Sequence, residues 1–323
     1  MRSAGATAGH SNSGQGAGKM DTAKADFSTV KERLTDLLRN KRTQLPTLPV
    51  VAQNIIRISR SPDTSARELA AFINNDQAIA NKVLRMANSP YYGMGKKVDS
   101  ILRAITIIGF DEILGLAIGI GILPSFKKSP LGSILDMHQL WLHSLGCTFA
   151  AKNILTQIRK KANGATAAQL EEKGTFLPTL LHDMGKIIFS IYFPAEYTYV
   201  LQHAAQRQIA LQKAEQEMLG LDHANLSALL MQHWNFPEAI LMPVRFHHAP
   251  EKGDANFLSA ARLIMLANSL VREAGIGNSY NAQSYELQEI GEKLGLDSTD
   301  VQSSKTLLVN QRDEIEQFLQ LLS

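Results

Sequence analysis

An all-α fold is the class this sequence predicts, on three observations. Apolar residues recur at spacings of three and four over most of the chain, and long strand-like alternations are absent. The breaks between periodic stretches carry proline, glycine or asparagine, the residues that end helices. The reading places a disordered tail at residues 1–20, an N-terminal helical subdomain at 21–125, and a second helical bundle with a C-terminal helical extension at 126–323.

Taken in order, the first nineteen residues hold no apolar stretch of the signal-peptide kind. Residues 27–38 repeat Phe27, Val30, Leu34, Leu37 and Leu38, one face of an amphipathic helix. The proline-bracketed L-P-T-L-P at 45–49 breaks the chain and starts a new helix. Helices are predicted over 51–59, 66–74, 78–87 and 101–108, and N-S-P-Y-Y-G at 88–93 closes the third of these. The run I-L-G-L-A-I-G-I-G-I-L at 113–123 lies between Asp111-Glu112 and Pro124 and falls short of the ~20 residues a membrane span needs. It reads as a buried helix whose Gly115, Gly119 and Gly121 admit a neighbouring helix.

After a loop, a long helix is predicted over 134–159, a polar excursion over 160–173, and one apolar helix over 177–192. Further helices are expected over 196–206, 222–234, 237–246 and 260–273. A terminal helix carries Val301, Leu308, Ile315 and Leu322 seven apart, a stripe that packs on the body or on a second subunit.

With 45% hydrophobic and 20% charged residues, the chain is long enough for about two domains with a sizeable core. A net charge of +3 and a pI of 8.8 come from scattered Lys and Arg, which argues against a nucleic-acid partner. The one basic cluster, residues 39–42, reads as a solvated face. A single cysteine, Cys147, excludes an intramolecular disulfide and a cysteine-based zinc site, and it points to a reducing cytoplasm; its default role is an inert buried thiol. Trp141 and Trp234 read as core residues, and His203, His233 and His138 as edge or surface histidines, His138 being a remote ligand candidate.

Chemistry concentrates in L-P-T-L-L-H-D-M-G-K, where His182, Asp183 and Lys186 sit in an apolar run. Buried polar groups cost a few kcal/mol unless paired, so these need hydrogen bonds, each other or a metal ion. His143, His223, His247 and His248 lie on or at the ends of predicted helices, and a bundle could converge them with His182. Neutral imidazole suits iron, manganese, nickel and zinc, and Asp183 could bridge two cations. Gly185 would leave room for such an ion. The competing reading is a His-Asp pair capping a helix end, with Lys186 neutralising the aspartate.

These residues carry a family resemblance. L-P-T-L-P, I-N-N-D-Q-A-I-A-N-K-V-L-R-M-A-N-S-P-Y-Y-G and I-L-R-A-I-T-I-I-G-F resemble the opening of HDOD signalling domains. Downstream W-L-H-S-L, T-L-L-H-D-M-G-K, L-G-L-D-H-A, W-N-F-P and F-H-H-A-P resemble the remainder, so that the likeness covers most of residues 45–250. HDOD domains are relatives of the HD phosphohydrolases and HD-GYP phosphodiesterases, all-helical proteins that hold metals with His and Asp. The resemblance therefore implies an HD-type bundle here, with His143, His182, Asp183, His223, His247 and His248 at metal-binding positions. Two departures stand out: the final aspartate of the HD pattern aligns with Asn268, and the G-Y-P motif is replaced by H-H-A-P-E-K-G-D. Both argue against cyclic-di-GMP hydrolysis.

By that resemblance the chain is expected to be a bacterial, cytoplasmic signal-transduction module that binds a signalling protein partner or a nucleotide-like ligand. Its expected cofactor is a divalent transition metal (Fe, Mn, Ni or Zn), as one ion or a weakly held pair, because Asp183 is the one anionic ligand in the set. No membrane association is expected, and a homo-oligomer is an open option. The rival reading is a metal-dependent phosphohydrolase acting on a phosphodiester or nucleotide, with Asp183 and Lys186 as its catalytic groups.

Overall fold

The computed structural model describes residues 30–39, 48, 50–59, 64–93, 95, 97–127, 134–161, 174–281 and 285–322. The expectations for the tail, for most of the L-P-T-L-P segment, for the basic cluster and for most of the polar excursion fall outside these residues. The described residues form helices and short 3-10 turns, with no strand among them.

The N-terminal part comprises α1 (Val30–Arg39), α2 (Val50–Ser59), α3 (Ala66–Asn74), α4 (Gln77–Ala87), α5 (Ile101–Ile108) and α6 (Phe110–Lys127). Local chemistry sets their starts. Ser65 and Glu68 form a reciprocal capping box on α3, and Asp76 and Ser100 accept from first-turn N–H groups of α4 and α5. The S-P-Y-Y-G segment makes a 3-10 turn, Pro90–Tyr92, closed by Gly93 at φ +60°. Helix α6 is the buried apolar helix expected. Cβ atoms on Gly115 and Gly119 would meet Phe176, Leu177 and Leu180, and one on Gly121 would meet Ala52, so the glycines do admit close neighbours.

The second part is built around α7 (Met137–Lys160), which is buried along most of its length and packs most extensively on α14 (Leu258–Glu273). Between them in sequence come α8 (Phe176–Leu181), α9 (Met184–Tyr192), α10 (Pro194–Arg207), α11 (Leu211–Leu219), α12 (His223–His233) and α13 (Glu238–Arg245). Then follow α15 (Leu287–Glu292), α16 (Ser298–Asn310) and α17 (Arg312–Leu322). Apolar side chains from α1 to α17 belong to one continuous core, which runs across the division drawn near residue 125. Trp141 and Trp234 are part of it.

Two expected helices are each two helices. The terminal stripe is real, with Val301, Leu308, Ile315 and Leu322 all buried, but the helix ends at Asn310 and restarts at Arg312. The Gln311 between them has its side-chain oxygen held by Asn153 of α7, and α17 packs on α4, α6 and α7 of the body. The apolar run 177–192 breaks at His182-Asp183, between α8 and α9. Ser227 of α12 makes that break affordable: its hydroxyl accepts the Gly185 N–H at 2.7 Å and lies 3.0 Å from the His182 carbonyl as donor.

Candidate metal centre

The break between α8 and α9 aims two adjacent side chains at one point, which a continuous helix would not do. His182 ends α8, where its Nδ1 bonds a carbonyl of that helix, and Asp183 precedes α9 without a side-chain capping bond; of the competing reading, the helix-end bond of His182 and the pairing of Asp183 with Lys186 are present and a cap by Asp183 is not. Four neighbours surround this pair. His143 comes from α7, His223 opens α12, and His247 and His248 follow α13.

Asp183 lies at the centre. Its Oδ2 is 3.4 Å from His182 Nε2 and 3.8 Å from His143 Nε2, while its Oδ1 is 3.3 Å from His223 Nε2. Lys186, one turn on, places its ammonium 2.7 Å from Oδ2 and 2.8 Å from the Ser279 carbonyl. Burial by itself would raise the Asp183 carboxyl, but its polar surroundings, with the Lys186 ammonium as the charge beside it, hold it well below the usual carboxylate range. Burial also lowers His182, His247 and His248 and pushes His143 down to about 3, so these rings are neutral and ligand-competent.

Outer hydrogen bonds orient the imidazoles. His182 Nδ1 lies 2.7 Å from the Thr179 carbonyl and His247 Nδ1 2.6 Å from the Val244 carbonyl. A carbonyl only accepts, so both Nδ1 atoms carry the hydrogen and both Nε2 atoms present a bare lone pair. Those two Nε2 atoms have no hydrogen-bond partner, nor has Asp183 Oδ1. His223 Nδ1 is held by Glu215 on α11, and its Nε2 faces His248 Nε2 at 2.8 Å. His248 is the half-buried member, with Nδ1 3.1 Å from the Tyr285 hydroxyl.

Orphaned buried acceptors facing one another are the pattern a cation satisfies. Ligand atoms of His223, His247 and His248 lie within 4.8 Å of one another, as do those of His182, Asp183 and His247, and those of His143, Cys147 and His182. The residues present therefore fit a divalent ion.

Several expectations change. Gly185 does not leave an open space: a Cβ there would stand 2.2 Å from the His223 carbonyl oxygen, so its missing side chain lets α12 start against α9. Asn268 is buried on α14 with its Oδ1 unpartnered. His138 is exposed and pairs with Glu316 at 2.8 Å, away from the cluster. Cys147 is buried as expected, yet its Sγ stands 3.6 Å from His143 Nε2. Glu215 and Ser227 were not legible as site residues; the available signal was a carboxylate eight residues before His223 and a hydroxyl one turn after it.

The HDOD domain model matches residues 45–250. An uncharacterised protein of Treponema pallidum (strain Nichols) is 24% identical over 250 residues, 76% of this chain, and the chain spans about half of that relative's length, 46%. An HDOD domain protein of unknown function from Geobacter sulfurreducens superposes with a TM-score of 0.66 at 23% identity, over 91% of this chain and 99% of that one. A protein from Marinobacter aquaeolei VT8 named for signal transduction gives 0.67 at 21%, over 94% and 68%. A Shewanella amazonensis SB2B protein named as a candidate phosphohydrolase gives 0.65 at 20%, over 91% and 99%. At these identities the structural likenesses establish the helical fold. Among the described residues no helix is long and apolar enough to cross a membrane. With residues 45–250 matched, well over half of its length and including every histidine and the aspartate of the cluster, the chain belongs to the HDOD domain family.

Proposed function

We propose that this chain is a regulatory signal-transduction module whose His/Asp cluster holds a divalent transition metal as a structural or sensory group, and which acts by binding a signalling protein partner or a nucleotide-like ligand. His143, His182, Asp183, His223, His247 and His248 are the proposed metal-facing residues, and Lys186 is the counter-ion of Asp183. The observation that carries the reading is closure. His143, His182, His223, His247 and Lys186 are 0% exposed and Asp183 is 1% exposed. A catalytic metal keeps a position open to water and substrate, whereas a structural one is enclosed by its ligands. The absent G-Y-P motif and the amide at Asn268 support the same side.

One observation favours the rival phosphohydrolase. Half-buried His248 lines a hollow of about 570 Å³ whose walls carry Lys213, Arg245 and Lys252 beside Glu217 and Asp222, a size that suits a nucleotide or phosphodiester. In that reading the metal would lower the pKa of a bound water and supply the nucleophile. Elemental analysis of the purified full chain, combined with a screen of phosphodiesters and nucleotides, separates the two. Bound metal without turnover supports the regulatory module. Turnover that His248→Ala abolishes would replace it with the hydrolase, and a protein that takes up no metal and turns nothing over would end the metal site and the hydrolase and leave a binding module alone.

A further inference from the structure

The cluster of His143, Cys147 and His182 adds a group that neither reading uses. His143 and Cys147 lie four apart on α7, so both side chains emerge on one face of that helix. His182 approaches from the end of α8, its ring centroid 5.8 Å from that of His143. One ligand atom from each of the three lies within 4.8 Å of the others.

A thiol-to-imidazole hydrogen bond would account for the Cys147–His143 contact alone. It would leave His182 Nε2 buried, bare and unpartnered, at a cost of about 1–3 kcal/mol. A cation among the three would engage Cys147 Sγ, His143 Nε2 and the bare His182 Nε2 together. With metal–sulfur and metal–nitrogen bonds of about 2.3 and about 2.05 Å, the 3.6 Å separation of Sγ and Nε2 subtends about 110° at the ion, the tetrahedral value. Charge favours the same answer. Lys186 already offsets Asp183, so imidazoles alone would leave a divalent ion short of anionic ligands, and a thiolate makes up part of that deficit.

We propose that Cys147 is a thiolate ligand of an inner metal position formed with His143 and His182, distinct from an outer all-imidazole position at His223, His247 and His248. The proposal rests on the metal-site reading above. Binding breaks the S–H bond and releases its proton to solvent, so that the sulfur pair bonds the ion. A thiolate at the inner position selects zinc, cobalt or ferrous iron over magnesium and manganese.

The test is cobalt(II) titration of the full chain followed by absorption spectroscopy. Because the chain has one cysteine, a near-ultraviolet thiolate-to-cobalt charge-transfer band in the wild type reports Cys147 and nothing else. The expected result is that band in the wild type and its loss in both Cys147→Ser and Cys147→Ala, with zinc affinity at the inner position falling tenfold or more. Cobalt bound to the wild type without the band would overturn the cysteine ligand and leave the histidine site standing. A band that survives both substitutions would overturn it equally. A wild type that takes up no cobalt would overturn this proposal together with the metal-site reading.

Discussion

Glu215 Oε2 lies 2.5 Å from His223 Nδ1, and the same oxygen accepts the His223 backbone N–H at 2.8 Å. Its other oxygen accepts the Tyr197 hydroxyl at 2.8 Å, and Glu215 is fully buried. One carboxylate thus fixes the ring orientation, the tautomer and the first residue of α12 together. It also brings a second buried negative charge close to a cluster whose sequence suggested Asp183 alone.

Replacing Glu215 with Gln keeps the shape and removes the charge. Zinc affinity is expected to fall about 10–100-fold, the usual effect of losing such an outer partner. Tyr197→Phe, which removes one of the hydrogen bonds to Glu215, should cost less. Competition titration against a chromophoric chelator measures both, and wild-type affinity in Glu215→Gln would show that His223 does not bind metal.

The close approach of α9 and α12 at Gly185 makes a structural prediction. An alanine methyl there would lie 2.2 Å from the His223 carbonyl oxygen, which is backbone and cannot rotate away. Gly185→Ala should destabilise the protein by about 3 kcal/mol or more. Gly119→Ala is the control: its Cβ would come 2.9 Å from Leu180 Cδ2, the far end of a flexible side chain, so a loss of about 1 kcal/mol is expected. Denaturation with urea, without metal, ranks the two; equal losses would contradict the packing described.

Where sequence and structure agree, the controlling chemistry is local. Helices α3 and α5 have the expected bounds because an apolar period and a serine cap coincide at each. The six ligand-type residues were legible because an ordered motif carried them. The break at His182-Asp183 was not, since the apolar run continues through it and Ser227, more than forty residues on, supplies the compensating bonds. Helix α11 is largely polar, with Leu211, Ala214, Glu215 and Leu219 as its buried residues, so it gave weak periodicity and hid Glu215 with it. Cys147 is four residues from His143 in sequence, but its closeness to His182 exists only once α8 packs on α7.

Glu112 gives a prediction in pH. It accepts the Tyr92 hydroxyl at 3.2 Å, and burial pushes its carboxyl up to about 7, against the opposing influence of Lys152. The folded protein therefore keeps a proton that an unfolded carboxyl releases near 4.5. Between those values the folded state binds more protons, so stability from this group falls as pH rises and the loss is complete above about 7. Glu112→Gln should flatten this slope, gaining about 1–2 kcal/mol near pH 8 and little near pH 5. Urea denaturation at both pH values checks it, and an unchanged difference between them would remove Glu112 as the cause.

Lys186 and Asp183 form a fully buried ion pair, and removing one partner strands the other. Lys186→Met should therefore destabilise the metal-free protein by about 3–5 kcal/mol. The same change removes a positive charge 2.7 Å from Asp183 Oδ2, an oxygen that faces the proposed ion. Metal binding then replaces the missing counter-charge, so zinc affinity should rise and zinc should restore much of the lost stability. These two effects have opposite signs, and a general packing defect would not produce the second. Denaturation with and without zinc, alongside a zinc titration, reads both. A variant that is destabilised equally in both conditions would mean that Asp183 holds no metal, and one as stable as the wild type without zinc would end the counter-ion role of Lys186.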